Sequence, residues 1–544
     1  MSLPNILFLT IDGLRYDRLG FSGYEAAHSP NLDRLAREGV SFSNYHTHGS
    51  PTQFSFPSIF SSSYPLDEGG YGRGIRNRAA SFVEVLQQAG YWTVGLSLGG
   101  ALTEAYGYKR GFRHYHHLNE ISVPLSTAWK NEFAYYRDLF KNGRITLPEL
   151  VAHTAHTVEQ ALNGTILLCA EKQAEITSGA IVTTPEFHDA DFGKIADAMR
   201  KELSRLQQSP TGYIEWMIGH KSAEEAYAQL PMPLVSRNRF AGMLHNYANK
   251  ALTNIDITLR FGRRKHMGAK QVFDSIDKYM NRADGKRFFI WGHVIDVHDL
   301  CFGDGKVYLP PVGSPVFRKI KRLGRAYRGL RGYDYAISYV DKLIGRLFAQ
   351  LKCKGLDQNT MIVVTSDHGL AANWPRPAVS HVANFYEEHC HVPLIFWQAG
   401  MQPQNIDALY GSVDLPASLL GFLGLEAPAS FKGVNALAEN ASGRPYILME
   451  NLGRGPHDLA RKPIRLAIRT QDRKYIMDDK EGHCQVREVY HLVLDPDELT
   501  NLAAAPSEQD EIARMAKLGA ARCLEIRGQL FDPGAHRCKR QTEL

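Results

Sequence analysis

Hydroxyl and proline residues crowd one short stretch of the sequence. The segment GSPTQFSFPSIFSSSYP, residues 49–65, holds six serines, one threonine and three prolines around three phenylalanines. This composition is typical of a turn that leads into a helix, where a hydroxyl lies beside free backbone N–H groups and the positive end of the helix dipole. A hydroxyl in that position could attack an anionic ester. A surface loop rich in serine and proline is the alternative that this window leaves open.

Two apolar runs end in residue types that commonly bind metal ions. The run PNILFLTID, residues 4–12, ends at Asp12, and MIVVTSDHG, residues 361–369, contains Asp367 and His368. Both have the length of a buried parallel strand, and parallel sheets bind their ligands at the carboxyl ends of the strands. Core packing does not explain metal-type ligands at the carboxyl ends of both runs.

The elements around these residues alternate between strands and helices. Residues 6–11 and 91–97 have the pattern of buried strands, whereas residues 31–38 and the Ser81-capped segment FVEVLQQAG are predicted helices. Residues 333–351 form an amphipathic pattern that leads into the second ligand-bearing strand. This alternation predicts a doubly wound α/β fold with a mostly parallel sheet sandwiched by helices.

Several motifs resemble the sulfatase family of the alkaline phosphatase superfamily. They are TIDGLRYDRLG with Asp12, Arg15 and Asp17, SPNLDRLAREGVSFSNY at 29–45, SDHG at 366–369, and YEEHCHVPLIFW at 386–397. The matching order runs from residue 4 to about 425. The resemblance implies an alkaline phosphatase-like α/β fold with a small α+β C-terminal domain.

The domain organisation follows from length and from this resemblance. A chain of 544 residues exceeds what one hydrophobic core usually supports. The resemblance implies a catalytic domain over residues 1–430 and an antiparallel-sheet domain with a final helix over 431–544. Residues from about 115 to 275 fit the family poorly and have helical spacing, so we expect a helical insertion there. A lid, an oligomer contact and a purely structural addition all remain open for it.

One further segment resembles the helix with which the family closes its main domain. This segment is VDLPASLLGFLGL, residues 413–425. Its Asp414 is expected to be a helix N-cap and not a ligand.

The resemblance also points to a nucleophile. In an ungapped alignment, Thr52 occupies the family position of the Cys or Ser that becomes formylglycine. The segment TQFSFPSIFS is similar to the threonine nucleophile turn of phosphoethanolamine transferases, a sister group. A shifted alignment would use Ser55 in the frame SFPSI, but Ile59 then stands where the family has an arginine. Thr52 is therefore preferred, with Ser55 as the alternative.

The same alignment implies one divalent metal ion bound by Asp12, Thr52, Asp367 and His368. Carboxylates with one imidazole and a hydroxyl suit Mn²⁺ or Zn²⁺ better than Ca²⁺ or Mg²⁺, which prefer oxygen ligands throughout. The calcium enzymes of the family usually have an asparagine at the position of His368.

Histidines supply the remaining candidate catalytic groups. The segment HVIDVHD resembles the family strand that ends in a histidine near the substrate, which implies that His298 protonates the leaving group or contacts the oxyanion, with His293 as second candidate. His381 lies where the family commonly has a His or Lys, which implies contact with the substrate oxyanion. The lysine that the family usually has after strand 91–97 is absent from LSLGGAL.

These features imply a metal-dependent hydrolase of phosphate, phosphonate or sulfate esters that forms a covalent intermediate on Thr52. An unmodified threonine cannot expel sulfate as formylglycine does, so phosphorus esters are favoured. The alternatives are a phosphoryl transferase of the phosphoethanolamine transferase type, a formylglycine sulfatase using Ser55, and a non-catalytic binding protein on this fold.

Composition bears on partners and location. The formal charge of +6 is too small to indicate nucleic acid binding, and a small anionic ester is the expected partner. Seven scattered cysteines without a CxxC spacing predict reduced thiols and a cytoplasmic protein. The N-terminal apolar run lacks signal-peptide features, and no tract approaches the roughly 20 residues of a membrane span. The basic run at 318–331 is either a solvated face or a steering surface for anions. A homo-oligomer remains possible.

Overall fold

The computed structural model describes residues 3–71, 74–99, 101–117, 133–179, 191–219, 268–299, 330–371, 375, 384–452, 463–480 and 483–531. Within these ranges, no helix combines the length and the apolar character that crossing a membrane requires.

Strands occur along most of the described chain. In chain order they are β1 (Asn5–Ile11), β2 (Val40–Phe42), β3 (Tyr45–His46), β4 (Trp92–Ser97), β5 (His114–His117), β6 (Phe288–Val294), β7 (Thr360–Thr365), β8 (Leu394–Trp397), β9 (Gln404–Ile406), β10 (Tyr410–Gly411), β11 (Ile447–Asn451), β12 (Ile464–Arg469), β13 (Arg473–Lys480) and β14 (His483–His491).

Helices separate many of these strands. In chain order they are α1 (Pro30–Glu38), α2 (Thr52–Ser61), α3 (Phe82–Gln88), α4 (Ala134–Lys141), α5 (Leu147–Ser178), α6 (Phe192–Gln208), α7 (Pro210–Ile218), α8 (Gly268–Arg282), α9 (Asp296–Asp299), α10 (Leu330–Cys353), α11 (Glu387–Cys390), α12 (Asp414–Phe422) and α13 (Gln509–Phe531).

The main sheet has eight strands in the order β5-β4-β6-β1-β7-β8-β2-β9. The strands from β5 to β7 run parallel, whereas β8 is antiparallel to both β7 and β2. Since β1 lies between β6 and β7, the chain segments that follow these three strands emerge side by side. The mostly parallel α/β sheet predicted from the sequence is confirmed.

Alternate residues of β1 enter two separate cores. Leu7, Leu9 and Ile11 pack with residues of α1, α8 and α10 on one face of the sheet. Ile6 and Phe8 pack with residues of α2, α3 and α12 on the other face. Every residue of β1 is buried, as expected for a central strand covered by helices on both sides.

A helical group lies within the region where the sequence predicts an insertion. Helices α4 to α7 share a core of their own that includes Leu150, Leu162, Met199 and Ile214. The predicted helices at 192–207 and 269–279 are found as α6 and α8, extended by one to three residues at their ends.

A four-stranded antiparallel sheet, β11-β12-β13-β14, carries α13 near the end of the chain. Its core includes Leu448, Met515 and Ile526, and Phe54 of α2 belongs to the same core. Arg522 of α13 donates to Glu450 over 2.6 Å and to Asp67 over 2.7 Å. The C-terminal sheet is therefore attached to the segment that contains the hydroxyl cluster.

The expected role of Asp414 is wrong. Helix α12 begins at Asp414, and Val413 occupies the N-cap position. The buried carboxylate of Asp414 instead accepts hydrogen bonds from the Gly411 and Val434 amides and pairs with Arg444 at 2.6 Å. Asp414 therefore holds three chain segments together, which local sequence patterns cannot reveal.

Candidate active site

The two predicted metal-ligand segments meet at the carboxyl edge of the main sheet. Asp12 follows β1 directly, and its amide donates to the Val294 carbonyl at the end of β6 over 2.8 Å. Asp367 and His368 follow β7, the other neighbour of β1. All three side chains are buried, and one potential ligand atom from each lies within 4.8 Å of the other two. Adjacency of the strands thus brings together residues that are 355 positions apart.

Glycine shapes the turn after Asp12. Gly13 has a φ of +77°, a left-handed conformation that favours glycine. Its amide lies 3.4 Å from Asp367 Oδ1, and a Cβ at this position would come within 3.3 Å of His298 Cβ. The turn therefore approaches both the second aspartate and a candidate catalytic histidine.

The ring of His368 is oriented for metal binding. Its Nδ1 lies 2.8 Å from the Gly369 carbonyl, which can only accept, so Nδ1 carries the proton. Its Nε2 faces the site, 3.3 Å from Asp12 Oδ1 and 3.5 Å from Asp367 Oδ2. A carbonyl that fixes the tautomer of a ligating histidine is a common arrangement in metal sites.

Thr52 completes this group. It is the first residue of α2, so its hydroxyl lies at the positive end of the helix dipole. The Thr52 hydroxyl donates to Asp12 Oδ2 over 3.3 Å, and its Oγ1 lies 3.3 Å from His368 Nε2. The predicted turn into a helix is present, and it brings the hydroxyl to the two strand ends.

Ser55, the alternative nucleophile, lies elsewhere. Its side chain is fully buried, and its hydroxyl donates to the Gly49 carbonyl over 2.9 Å and to the Pro51 carbonyl over 3.3 Å. These bonds fasten the loop before α2 to the helix.

His293, the second candidate histidine, lies next to Asp12. It is paired with Thr10 across β1 and β6, and its Nδ1 is 2.9 Å from Thr10 Oγ1. With the Thr10 hydroxyl donating to Nδ1, the ring proton lies on Nε2, which is 3.7 Å from Asp12 Oδ2. Its position opposite Thr10, two residues before Asp12, depends on the register between β1 and β6, which the sequence does not give.

The loop after β4 also reaches this site. A Cβ at Gly99 would lie 3.0 Å from Nε2 of His293. The family resemblance predicts a lysine in this loop. In the described part of the loop, the backbone of Gly99 instead packs against the ring of His293.

His298, the first candidate, follows β6 on the short helix α9. Its side chain is partly exposed, and its ring centroid is 6.0 Å from that of His368. It is thus next to the ligand group and accessible from outside. His381, the third candidate, and most of the basic run at 318–331 lie outside the described residues.

The two aspartates have different electrostatic environments. Burial alone would raise the pKa of Asp12, but the nearby imidazoles of His298, His293 and His368 hold that pKa well below its usual range. Burial and the negative charge of Asp12 raise the pKa of Asp367. Two buried carboxylates that repel each other are stabilised by a cation between them.

The hydrogen bonds of Asp12 and Asp367 also indicate that a cation would stabilise the two carboxylates. Within the described residues, Asp12 Oδ1 and Asp367 Oδ2 are buried and lack a hydrogen-bond partner. A buried carboxylate oxygen without a partner is costly, and metal coordination is one of the few ways to satisfy it. Together with His368 Nε2, these atoms form a donor set that fits a divalent metal ion.

Comparison with known proteins identifies related sequences. The model of the family described as Sulfatase matches residues 4–162 and 202–425. Arylsulfatase K from Bos taurus is 28% identical over 190 residues, which is 32% of this chain and 34% of that protein. The ulvan-active sulfatase of Formosa agariphila is 32% identical over 130 residues, covering 23% of this chain and 24% of that protein. The matched segments thus span about a third of the first relative and about a quarter of the second.

Solved structures match over nearly the whole chain. A 2-O GAG sulfatase aligns with a TM-score of 0.58 at 16% identity, covering 97% of this chain and 93% of that one. The phosphonate monoester hydrolase of Agrobacterium radiobacter aligns with a TM-score of 0.54 at 16% identity, covering 97% and 96%. These likenesses show that the chain shares their fold.

Proposed function

Because the chain belongs to the sulfatase family, we propose that it hydrolyses small anionic esters and that the Thr52 hydroxyl is its nucleophile. The observation that carries this proposal is the position of Thr52 Oγ1, 3.3 Å from both Asp12 Oδ2 and His368 Nε2. The bonds of Ser55 to loop carbonyls support a structural role for that residue. Phosphate and phosphonate esters suit an unmodified threonine better than sulfate esters, because threonine lacks the route by which formylglycine expels sulfate.

The proposal includes one divalent metal ion held by Asp12, Thr52, Asp367 and His368. Mn²⁺ or Zn²⁺ suits this mixed oxygen and nitrogen donor set better than Ca²⁺ or Mg²⁺. When bound, such an ion would lower the pKa of the Thr52 hydroxyl and stabilise negative charge on the ester oxygens. The unpartnered buried oxygens of the two aspartates support this assignment.

The residues of the site have distinct tasks in the proposed reaction. Thr52 Oγ releases its proton to solvent and bonds to the phosphorus or sulfur atom while the ester oxygen leaves on the opposite side. Protonated His298 donates a proton to that leaving oxygen. Water then attacks the same centre, His298 accepts a proton from it, and the bond to Thr52 breaks. Thr52 recovers a proton from solvent, and the phosphate, phosphonate or sulfate product is released with its remaining substituents.

Turnover assays on the full-length protein test the nucleophile. With metal supplied, we expect hydrolysis of an aryl phosphodiester, phosphonate or sulfate, and we expect Thr52→Ala to lower kcat on the order of 10³-fold or more. Ser55→Ala is the matched control and should keep most of this activity at a temperature where it stays folded. Loss of activity only in Ser55→Ala would reject Thr52 in favour of Ser55.

Product and mass analysis separate the remaining alternatives. A transferase would pass the group to an added acceptor alcohol in preference to water. A formylglycine enzyme would show an oxidised Ser55 in the peptide covering residues 49–65. A protein that binds no metal and turns over none of the esters would be the non-catalytic binding protein.

A further inference from the structure

Two cysteines from different elements of the C-terminal domain face each other. Cys484 lies on β14 and Cys523 on α13, 39 positions apart, and their sulfur atoms are 3.6 Å apart. Cys523 is fully buried, whereas Cys484 is partly exposed. The sulfurs are in contact without a bond between them.

Close packing of α13 on the sheet brings the sulfurs together. Gly519 lies one turn before Cys523, and a Cβ there would come within 2.2 Å of Met477 Sδ and 3.5 Å of Cys484 Sγ. The absence of a side chain at Gly519 therefore lets the helix approach β13 and β14 closely at this point. The approach is a property of the packed elements, so the sulfur contact does not depend on a mobile side chain.

The environments of the two thiols are unequal. Contact with Cys523 lowers the pKa of Cys484, and nearby Arg527 acts in the same direction, whereas burial and Asp479 oppose this shift. The same contact and burial raise the pKa of Cys523. An accessible thiol beside a buried one is the usual arrangement of an attacking thiol with its resolving partner.

We propose that Cys484 and Cys523 are a redox-active pair that closes to a disulfide between β14 and α13. The Cys484 thiolate attacks a disulfide oxidant such as oxidised glutathione, forms a mixed disulfide and expels one thiolate. Cys523 then loses its proton, attacks the Cys484 sulfur and expels the second thiolate. Two protein thiols lose two electrons and two protons, and one oxidant disulfide is reduced to two thiols.

A metal ion is the competing occupant, because Asp479 lies beside both sulfurs. Zinc held by cysteines is normally bound by four ligands, and the described residues bring three donor residues to this group. Asp479 Oδ2 already accepts a hydrogen bond from Arg527 Nε over 3.0 Å, which places a fixed positive charge next to the would-be ligand. In the described part of the chain, Asp479 Oδ1 is buried without a hydrogen-bond partner, which is a feature that suits a cation. The three donor residues and the charge of Arg527 favour sulfur–sulfur bond formation instead.

A disulfide between Cys484 and Cys523 would strengthen the attachment of the C-terminal sheet to the segment around Asp67. Cys523 follows Arg522, whose guanidinium pairs with Glu450 of β11 and with Asp67 beyond α2. A covalent link at Cys523 fixes α13 against its sheet and so holds Arg522 in place. The disulfide also restricts the unfolded chain between two residues that are 39 positions apart.

Peptide mapping of the full-length, unsubstituted protein tests the proposal. The protein is treated with oxidised glutathione after removal of bound metal, its free thiols are alkylated, and it is digested without reductant. We expect one peptide pair joined through Cys484 and Cys523 and lighter by two hydrogens than the reduced pair. The midpoint of thermal unfolding should rise on the order of 5–10 °C and return when dithiothreitol is added.

Substitutions and metal titration decide between the outcomes. Cys484→Ser and Cys523→Ser should each abolish the cross-link and the thermal shift, whereas Cys353→Ser, which removes an exposed cysteine on α10, should change neither. The proposal is overturned if oxidation joins other cysteines or leaves the pair reduced. It is also overturned if stoichiometric Zn²⁺ protects both thiols, with a thiolate-to-metal absorption band when Co²⁺ replaces it.

Discussion

The two ring nitrogens of His368 have different partners. Nδ1 donates to a backbone carbonyl, and Nε2 faces two buried carboxylates. Asp367→Asn removes one of these charges, so we expect affinity for Mn²⁺ or Zn²⁺ to fall on the order of 10²-fold in a competition titration. Asp17→Asn is the control, because Asp17 is a nearby aspartate beyond β1 that pairs with Arg15 and not with the metal-ligand group. Equal affinities in the two variants would place the metal elsewhere.

His298 is expected to act on the leaving group. The variant His298→Gln keeps a side chain of similar size but cannot donate a proton as an acid. We expect kcat to fall on the order of 10²- to 10⁴-fold for esters of alkyl alcohols, and much less for a nitrophenyl ester, whose leaving group needs no proton. His483→Gln, an exposed substitution in the C-terminal sheet, is the control. A loss independent of the leaving group would indicate a binding role instead.

At the scale of elements, a capping box fixes the start of α3. The Ser81 hydroxyl accepts from the Val83 amide over 3.3 Å, and Glu84 accepts from the Ser81 amide over 2.8 Å. Ser81→Ala should lower the free energy of unfolding by about 1 kcal/mol in urea titrations. Ser204→Ala, an exposed change within α6, should leave it unchanged within about 0.5 kcal/mol. Equal effects of the two changes would show that the cap contributes nothing.

Elements with strong local signals were predictable. The Ser81 cap, the buried run of β1 and the apolar stripe of α10 each follow from residues close in sequence. The meeting of Asp12 with Asp367 needed the family resemblance, because periodicity does not give the order of strands in a sheet. The role of Asp414 and the contact of Cys484 with Cys523 depend on tertiary packing between distant segments, and no local pattern indicated either.

At the scale of the whole molecule, His48 joins the main domain to the C-terminal sheet. It is fully buried, and its Nδ1 is 2.5 Å from the Leu448 carbonyl on β11. Burial lowers the pKa of His48 from 6.5 to about 4, although the Leu448 bond opposes this shift. Between these values the unfolded chain binds a proton that the folded protein does not, so stability falls as the pH falls.

We expect this histidine to cost the protein about 2 kcal/mol of stability between pH 7 and pH 5. Urea unfolding at both pH values measures the loss, and His48→Gln should make the pH dependence shallower by that amount whatever its stability at pH 7. The exposed His483→Gln should keep the original dependence. An unchanged slope in His48→Gln would mean that folding leaves the pKa of His48 unchanged.

Phe54 lies two positions after Thr52 and packs into the core beneath the C-terminal sheet, against rings and aliphatic side chains that include Tyr71 and Met515. The position of Thr52, the proposed nucleophile, is thus set partly by the C-terminal sheet and α13. In a chimera of related proteins, α2 and the C-terminal sheet with α13 should therefore come from the same parent. If they came from different parents, their packing surfaces would not match.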